Sequence, residues 1–238
     1  MKYLVKFILN IFDYFTEKKI DSVLKKKLGK HLSCLVDVGS HKGEYIKKCL
    51  SLYNIDKIYG FEANPVTFKI LLSNCKNKTN IFLNNYGVGE IKKKINLFQN
   101  IESSSSSFNQ LNTDSNYFKK KYFFLNFFGK KKILNPVSVE VVRLKDFIIK
   151  KKIEKINLLK IDTEGYEFNV IKGLDSEIKN VHLIHLEHHF DDMIIKNYTL
   201  SDIHNYLENK GFKKIFKIKM KFRKSFEYIY QNQLFFNE

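Results

Sequence analysis

Four apolar runs in this chain end in a carboxylate: Leu35-Val36-Asp37, Tyr59-Gly60-Phe61-Glu62, Leu158-Leu159-Lys160-Ile161-Asp162 and Leu183-Ile184-His185-Leu186-Glu187. Short apolar runs bounded by turn residues predict buried strands. In an open parallel sheet the carboxyl ends of the strands lie along one edge, so these four side chains can converge there. Converging carboxylates can accept hydrogen bonds from hydroxyls, attract a cation, or take up a proton. One strand-end acid is ordinarily a helix cap or a solvated residue. Four in the same position along successive strands are the informative pattern.

The loop after the first acid limits the ligand. Gly39 and Gly43 form G-x-x-x-G, not G-x-G-x-x-G. The denser pattern lets a pyrophosphate approach the backbone and the helix N-terminus. Glu62 ends the next strand, where a carboxylate can accept both hydroxyls of a ribose. A ribose-binding acid without a pyrophosphate cradle points to a nucleoside ligand lacking phosphates. S-adenosylmethionine is the common one, and its sulfonium and amino-acid tail suit an acid-lined pocket.

The elements that must position these acids alternate in type. Strands are expected near 34–38, 57–62, 80–85, 137–142, 156–162 and 181–187. Between them, helical spacing marks Ile46, Cys49, Leu50 and Tyr53, and then Phe68, Leu71, Leu72 and Cys75. Asn64-Pro65 supplies an N-cap and a first-turn proline. Thr199 with Asp202 forms a capping box, and Gly211 ends that helix. Residues 91–99 read as an added edge strand. Segments 212–222 and 226–236 read as a closing antiparallel pair. The expected fold is α/β: a Rossmann-like, mostly parallel sheet with a C-terminal antiparallel hairpin. Residues 33–238 form that domain, with an irregular insertion at about 100–136 that includes the serine run Ser103–Ser107. Residues 1–32 form a basic amphipathic helical extension, its stripe carried by Leu4, Phe7, Ile8, Ile11, Phe12 and Phe15.

Composition sets further bounds. Three cysteines without a C-x-x-C argue against a disulfide framework or a zinc site and fit a reducing cytosol. The opening ten residues resemble a signal peptide, but Lys6 and Asn10 interrupt the apolar core and no small-residue cleavage site follows, so the segment reads as retained. The expected location is cytoplasmic; residues 3–28 are expected to pack as a helix across the domain, with peripheral membrane contact through residues 1–28 the lesser reading. Formal charge is +17, which favours an anionic partner. Only Arg143 and Arg223 are arginines, however, and base readers lean on arginine forks. Specific nucleic-acid binding is therefore the lesser expectation.

Several blocks together resemble the FkbM-type methyltransferases. They are Val36-Asp37-Val38-Gly39 with Gly43, Phe61-Glu62-Ala63-Asn64-Pro65, and above all Leu159-Lys160-Ile161-Asp162-Thr163-Glu164-Gly165-Tyr166-Glu167 with Ile171-Lys172-Gly173. The likeness runs from about residue 34 to 236. It implies a class I methyltransferase fold, S-adenosyl-L-methionine, and O-methylation, commonly of sugars or polyketide-like hydroxyls. Carried onto this sequence, it implies a cofactor site of Asp37, Gly39, Ser40, Gly43, Tyr45, Glu62, Ala63, Asn64, Gly87, Val88 and Asp162. Ser40-His41 stands where the family more often has Ala-Asn.

An alcohol is a poor nucleophile until its proton leaves, so a positioned base is expected. Asp162, Glu164, Glu187 and His188 are the candidates. Asp162 comes first because it ends a central strand. Alternation would also put His185, Glu187 and His189 on one face; core or surface histidines are the better default there, and no metal is expected. The acceptor expected from this reading is a small molecule or glycan. RNA methylation and a non-catalytic cofactor-binding module are the alternatives. The oligomeric state is not legible in the chain.

Overall fold

The computed structural model describes residues 2–99, 106–110, 112–127, 136–221 and 223–235. The main sheet contains β1 (His31–Val38), β2 (Asn54–Phe61), β3 (Ile81–Asn84), β8 (Ile156–Ile161), β9 (Val181–His189), β10 (Phe212–Lys219) and β11 (Ser225–Asn232). Their spatial order is β10-β11-β9-β8-β1-β2-β3. Neighbours from β3 to β9 pair in parallel, and β11 pairs antiparallel with both β9 and β10. Among the described strands of this sheet, β11 alone is reversed. This is the mostly parallel α/β architecture, with its antiparallel C-terminal hairpin, expected from the sequence.

A second sheet has the order β4-β7-β5-β6, from β4 (Gly87–Val88), β5 (Lys93–Gln99), β6 (Ser106–Ser107) and β7 (Val137–Val142). The expected edge strand at 91–99 is thus β5, placed between β6 and β7 rather than on the main sheet. Of the serine run, Ser106 and Ser107 form β6 and Ser103–Ser105 lie outside the described residues. Within the stretch expected to be irregular, residues Asn116–Phe127 form a helix, α4. The remainder at 100–105, 111 and 128–135 lies outside the described residues.

Helices cover both faces of the main sheet. α1 (Lys2–Leu28), α2 (Glu44–Leu52) and α3 (Pro65–Asn74) lie on one side, and their Ile20, Leu24, Ile46, Cys49 and Leu71 join Leu35, Leu158 and Leu183 in one core. On the other side, α5 (Leu144–Lys151), α6 (Glu167–Lys172) and α7 (Leu200–Asn209) pack on Leu159, Ile161, Ile184 and Leu186. The later half of α1 is therefore built into the core. Its earlier stripe is only partly described: Phe15 is exposed, and the side chains of Leu4, Phe7, Ile8 and Ile11 lie outside the described residues. No described helix is long and apolar enough to cross a membrane. Leu72, expected on the buried stripe of α3, faces solvent instead.

Local sequence explains the caps. Asn64 Oδ1 accepts from the backbone N–H of Val66 and Thr67, and Pro65 opens α3. Thr199 and Asp202 form the reciprocal capping box of α7.

Candidate active site

The sheet register arranges the chemistry in rows. Leu35, Leu158 and Leu183 are neighbours across β1, β8 and β9, and all three are buried. Two residues further along the same face, the neighbours become Asp37, Lys160 and His185. Two residues further still come Gly39, Asp162 and Glu187, with Glu227 of β11 opposite Glu187. A period of two keeps every member on one face. That face therefore turns from apolar to charged as it approaches the carboxyl ends.

The rows open into a cleft of about 1370 Å³. Gly39, Ser40, Tyr45, Glu62, Ala63, Gly87 and Val88 lie on its wall. So do Asp162, Glu164 and Glu187. Four expected site residues do not. Asp37 is buried behind the glycine loop, Gly43 is the N-cap of α2, Asn64 caps α3, and His188 lies on the far face of β9.

Gly39 has φ +88, and a Cβ there would stand 1.8 Å from the Asp162 carbonyl oxygen. The amide of Asp162 donates to the Val38 carbonyl at 2.9 Å. The first loop and the end of β8 thus touch backbone to backbone, which only glycine permits. Glu62 receives the loop from the other side. Its Oε2 accepts from His41 N at 2.9 Å and its Oε1 from Asn64 N at 2.8 Å. Each oxygen keeps acceptor capacity beyond that one bond. Burial pushes the Glu62 carboxyl up to about 7 despite the two backbone bonds. Burial likewise raises Asp37 to about 6, and its Oδ2 has no hydrogen-bond partner among the described residues.

The turn after β8 carries Glu164 into the cleft at φ +50, followed by Gly165 at φ +95. Two successive left-handed residues are unfavourable unless fixed from outside. Glu167, 0% exposed, does the fixing. Its Oε1 accepts from Gly165 N at 2.6 Å and from Thr163 Oγ1 at 3.4 Å, while Tyr198 donates to its Oε2. Ser107 Oγ donates to the Glu164 carbonyl at 2.7 Å, and Asn109 Nδ2 to the Gly165 carbonyl at 2.5 Å.

His188 corrects the sequence reading. The strand expected to stop at Glu187 runs on to His189, so alternation sends His188 away from the acids. Its Nδ1 lies 3.7 Å from Glu167 Oε2. His189 takes the place expected for it: Nε2 is 3.2 Å from Glu164 Oε2 and 3.5 Å from Glu187 Oε1, and Nδ1 is 3.6 Å from Asp191 Oδ2. Burial disfavours its charge, but the neighbouring carboxylates of Asp191, Glu164 and Glu187 outweigh burial and push it up to about 10. His189 is thus a cation held among acids. Asp162 is held well above the usual carboxylate range by burial and by the charge of Glu187. Among the described residues no group of three or more His, Cys, Asp and Glu side chains is arranged to hold a metal ion.

The methyltransferase FkbM domain matches this sequence over residues 37–214. The chain belongs to the FkbM methyltransferase family. Methyltransferase 1 of Beauveria bassiana (strain ARSEF 2860) is 27% identical over an alignment 156 residues long that covers 61% of this chain and 59% of that protein. The FkbM methyltransferase of Methylobacillus flagellatus KT superposes with a TM-score of 0.53 at 15% identity, over 83% of this chain and 43% of that one. M. capricolum TrmK, in complex with S-adenosyl-homocysteine, gives 0.50 at 9% identity, over 90% of this chain and 67% of that one. The chain spans about three-fifths of the curated relative and less than half of the M. flagellatus protein. At these identities the two structures are relatives in fold. The fold is the class I methyltransferase fold implied by the blocks from Val36 to Gly173.

Proposed function

We propose that this chain is an S-adenosyl-L-methionine-dependent O-methyltransferase acting on a hydroxyl of a sugar, glycan or other small molecule. One observation carries the reading: Asp162, Glu164 and Glu187 share one cleft wall with Glu62 and the Gly39 loop. The reading is supported by candidate proton acceptors and a candidate ribose acceptor lining the same cleft.

The residues fit the cofactor. Glu62 has unused acceptor capacity for the ribose hydroxyls, and Gly39 and Ser40 line the same cleft. Gly87 and Val88 supply a small apolar wall beside Glu62 for a base. Bound there, S-adenosyl-L-methionine supplies an electrophilic methyl group on a sulfonium. The chain's own part is to orient the acceptor hydroxyl and take its proton. The acceptor's O–H bond breaks as its O–CH3 bond forms, the S–CH3 bond breaks, and the proton passes to a carboxylate. Asp162 is the first candidate for that carboxylate, since it stands where β1 and β8 meet. Alignment in a walled cleft supplies most of the acceleration, and proton removal typically adds about 10²-fold or more.

The test uses single-turnover transfer at saturating cofactor on a panel of hydroxyl acceptors. Asp162→Asn should slow transfer by about 10²-fold or more with cofactor affinity largely kept. Near-wild-type transfer would reject the assignment, and a selective collapse in Glu164→Gln or Glu187→Gln would move the role. RNA binding that is tight and sequence-selective at physiological salt would favour an RNA acceptor instead; weak, salt-sensitive binding would mark the lysines as solvated surface.

A further inference from the structure

Directly behind the acids lies a charged cluster that the proposed reaction does not use. Lys160 is 5% exposed, Glu227 6% and His185 2%. Lys160 Nζ donates to Glu227 Oε2 at 3.1 Å. His185 Nε2 stands 2.9 Å from the same oxygen, and its Nδ1 is hydrogen-bonded to Tyr45 OH at 3.0 Å. The chain is thus tied from β8 through β11 and β9 to the first turn of α2. That turn follows immediately on the glycine loop.

Such a cluster is poor evidence of stabilisation. Buried ion pairs seldom outperform well-packed apolar residues of similar volume. The preceding row on this face, Leu35-Leu158-Leu183, shows that apolar packing works one step away. Position gives the cluster its meaning. Lys160 precedes Asp162 by two residues on one strand, and His185 precedes Glu187 by two on the next. Glu227 is paired opposite Glu187.

We propose that Lys160 is a positioning residue for the methyl-transfer site: clamped by Glu227, it provides the fixed positive charge beneath Asp162 that readies this acid to receive the acceptor's proton. Glu227 sets how much of that charge the acid feels. His185 stands against Glu227 and, through its bond to Tyr45, connects the clamp to the cofactor loop. The electrostatics agree in direction. The positive charge of Lys160 pulls Asp162 down against burial, Glu187, Glu164 and Glu227, all of which push it up. The other charges that bear on Asp162 and Glu187 are Arg223, before β11, and His189, beside Glu187. Arg223 is engaged by Asp13 at 2.7 Å. Of the three, Lys160 is the least exposed, and it lies on the strand that ends in Asp162.

The inference rests on the methyl-transfer reading, and its test separates the two. In the full chain labelled with 13C at aspartate carboxyls, the Asp162 signal is assigned by its loss in Asp162→Asn. Its titration midpoint is then followed in two variants. Lys160→Met should raise the midpoint by roughly one to three pH units, the scale for losing an adjacent opposite charge. Glu227→Gln removes the competing anion and should lower it. Opposite movements support the proposal. Unchanged midpoints, or movement of both in one direction, overturn it, because a purely structural role has no sign. If Lys160→Met does not fold, the downward shift in Glu227→Gln decides alone. Calorimetry with S-adenosyl-L-methionine on the wild-type chain is run in parallel. Absent binding there would overturn the methyltransferase reading while leaving the titration result to stand on its own.

Discussion

Replacing Glu167 by glutamine tests the support of the site without touching the cleft wall. The side chain is 0% exposed and serves Gly165 N, Thr163 Oγ1 and Tyr198 OH. Burial alone would raise its carboxyl. His188 close by and the bonds from Tyr198 and Gly165 outweigh burial and hold it at about 2, against an ordinary 4.5. A depression of roughly two and a half pH units corresponds to about 3 kcal/mol of folding free energy. The sign follows from the direction. A carboxyl lowered in the folded state stabilises fully above its unfolded value, and that stability drains away as pH falls from about 4.5 toward 2. Glu167→Gln keeps the shape and loses the charge, so it should cost about 2–4 kcal/mol at pH 7. It should also flatten the acid limb of the stability curve. Urea unfolding at pH 7, 4.5 and 3 reads both effects. A variant as stable as wild type at pH 7, or one with an unchanged acid slope, would refute the view that Glu167 anchors the Glu164–Gly165 turn.

Gly39→Ala should lower the melting temperature sharply and abolish nucleoside binding, since the new methyl would meet the Asp162 carbonyl at 1.8 Å on a φ of +88; circular dichroism melts and calorimetry check it. Adenosine, which has no amino-acid tail to titrate, should bind about tenfold more tightly at pH 8 than at pH 6, because Glu62 ionises near 7 and only its anion is a full acceptor for ribose hydroxyls. Glu62→Gln should bind weakly with no such pH dependence, and an unchanged pH profile in that variant would assign the effect elsewhere.

Much of the site was legible because it is local. A strand-end acid, a glycine turn and an N-cap each need only a few neighbouring residues, so Asp162, Gly39, Asn64 and Thr199 could be read from spacing. Strand length was less legible. Ending β9 at Glu187 kept His188 among the candidate bases although alternation already grouped His189 with Glu187; the strand's real length, to His189, turns His188 to the other face. Function and support were also hard to separate. In Asp162-Thr163-Glu164-Gly165-Tyr166-Glu167 the carboxylates look alike in sequence, yet Glu164 faces the cleft and Glu167 is sealed beneath the turn. Asp37 has the same strand-end signature as Glu62 but sits behind the loop, because the register aligns it with Lys160 rather than with Asp162. The Lys160–Glu227–His185 cluster was invisible for a different reason. It exists only because β11 inserts between β9 and β10, a pairing of residues far apart in the chain.

That insertion also bears on where the molecule can be cut. The family match ends at residue 214, inside β10 and before β11 begins at Ser225. A fragment trimmed to the matched span would lose an interior strand, leave β9 with a raw edge, and strip Lys160 of its counter-ion in a dry setting. Trimming from the front is equally costly, since Ile20 and Leu24 plug the core beneath the first loop. The smallest piece that keeps its own interior intact therefore runs from before Thr16 to beyond Asn232, wider at both ends than the span by which its kinship is recognised.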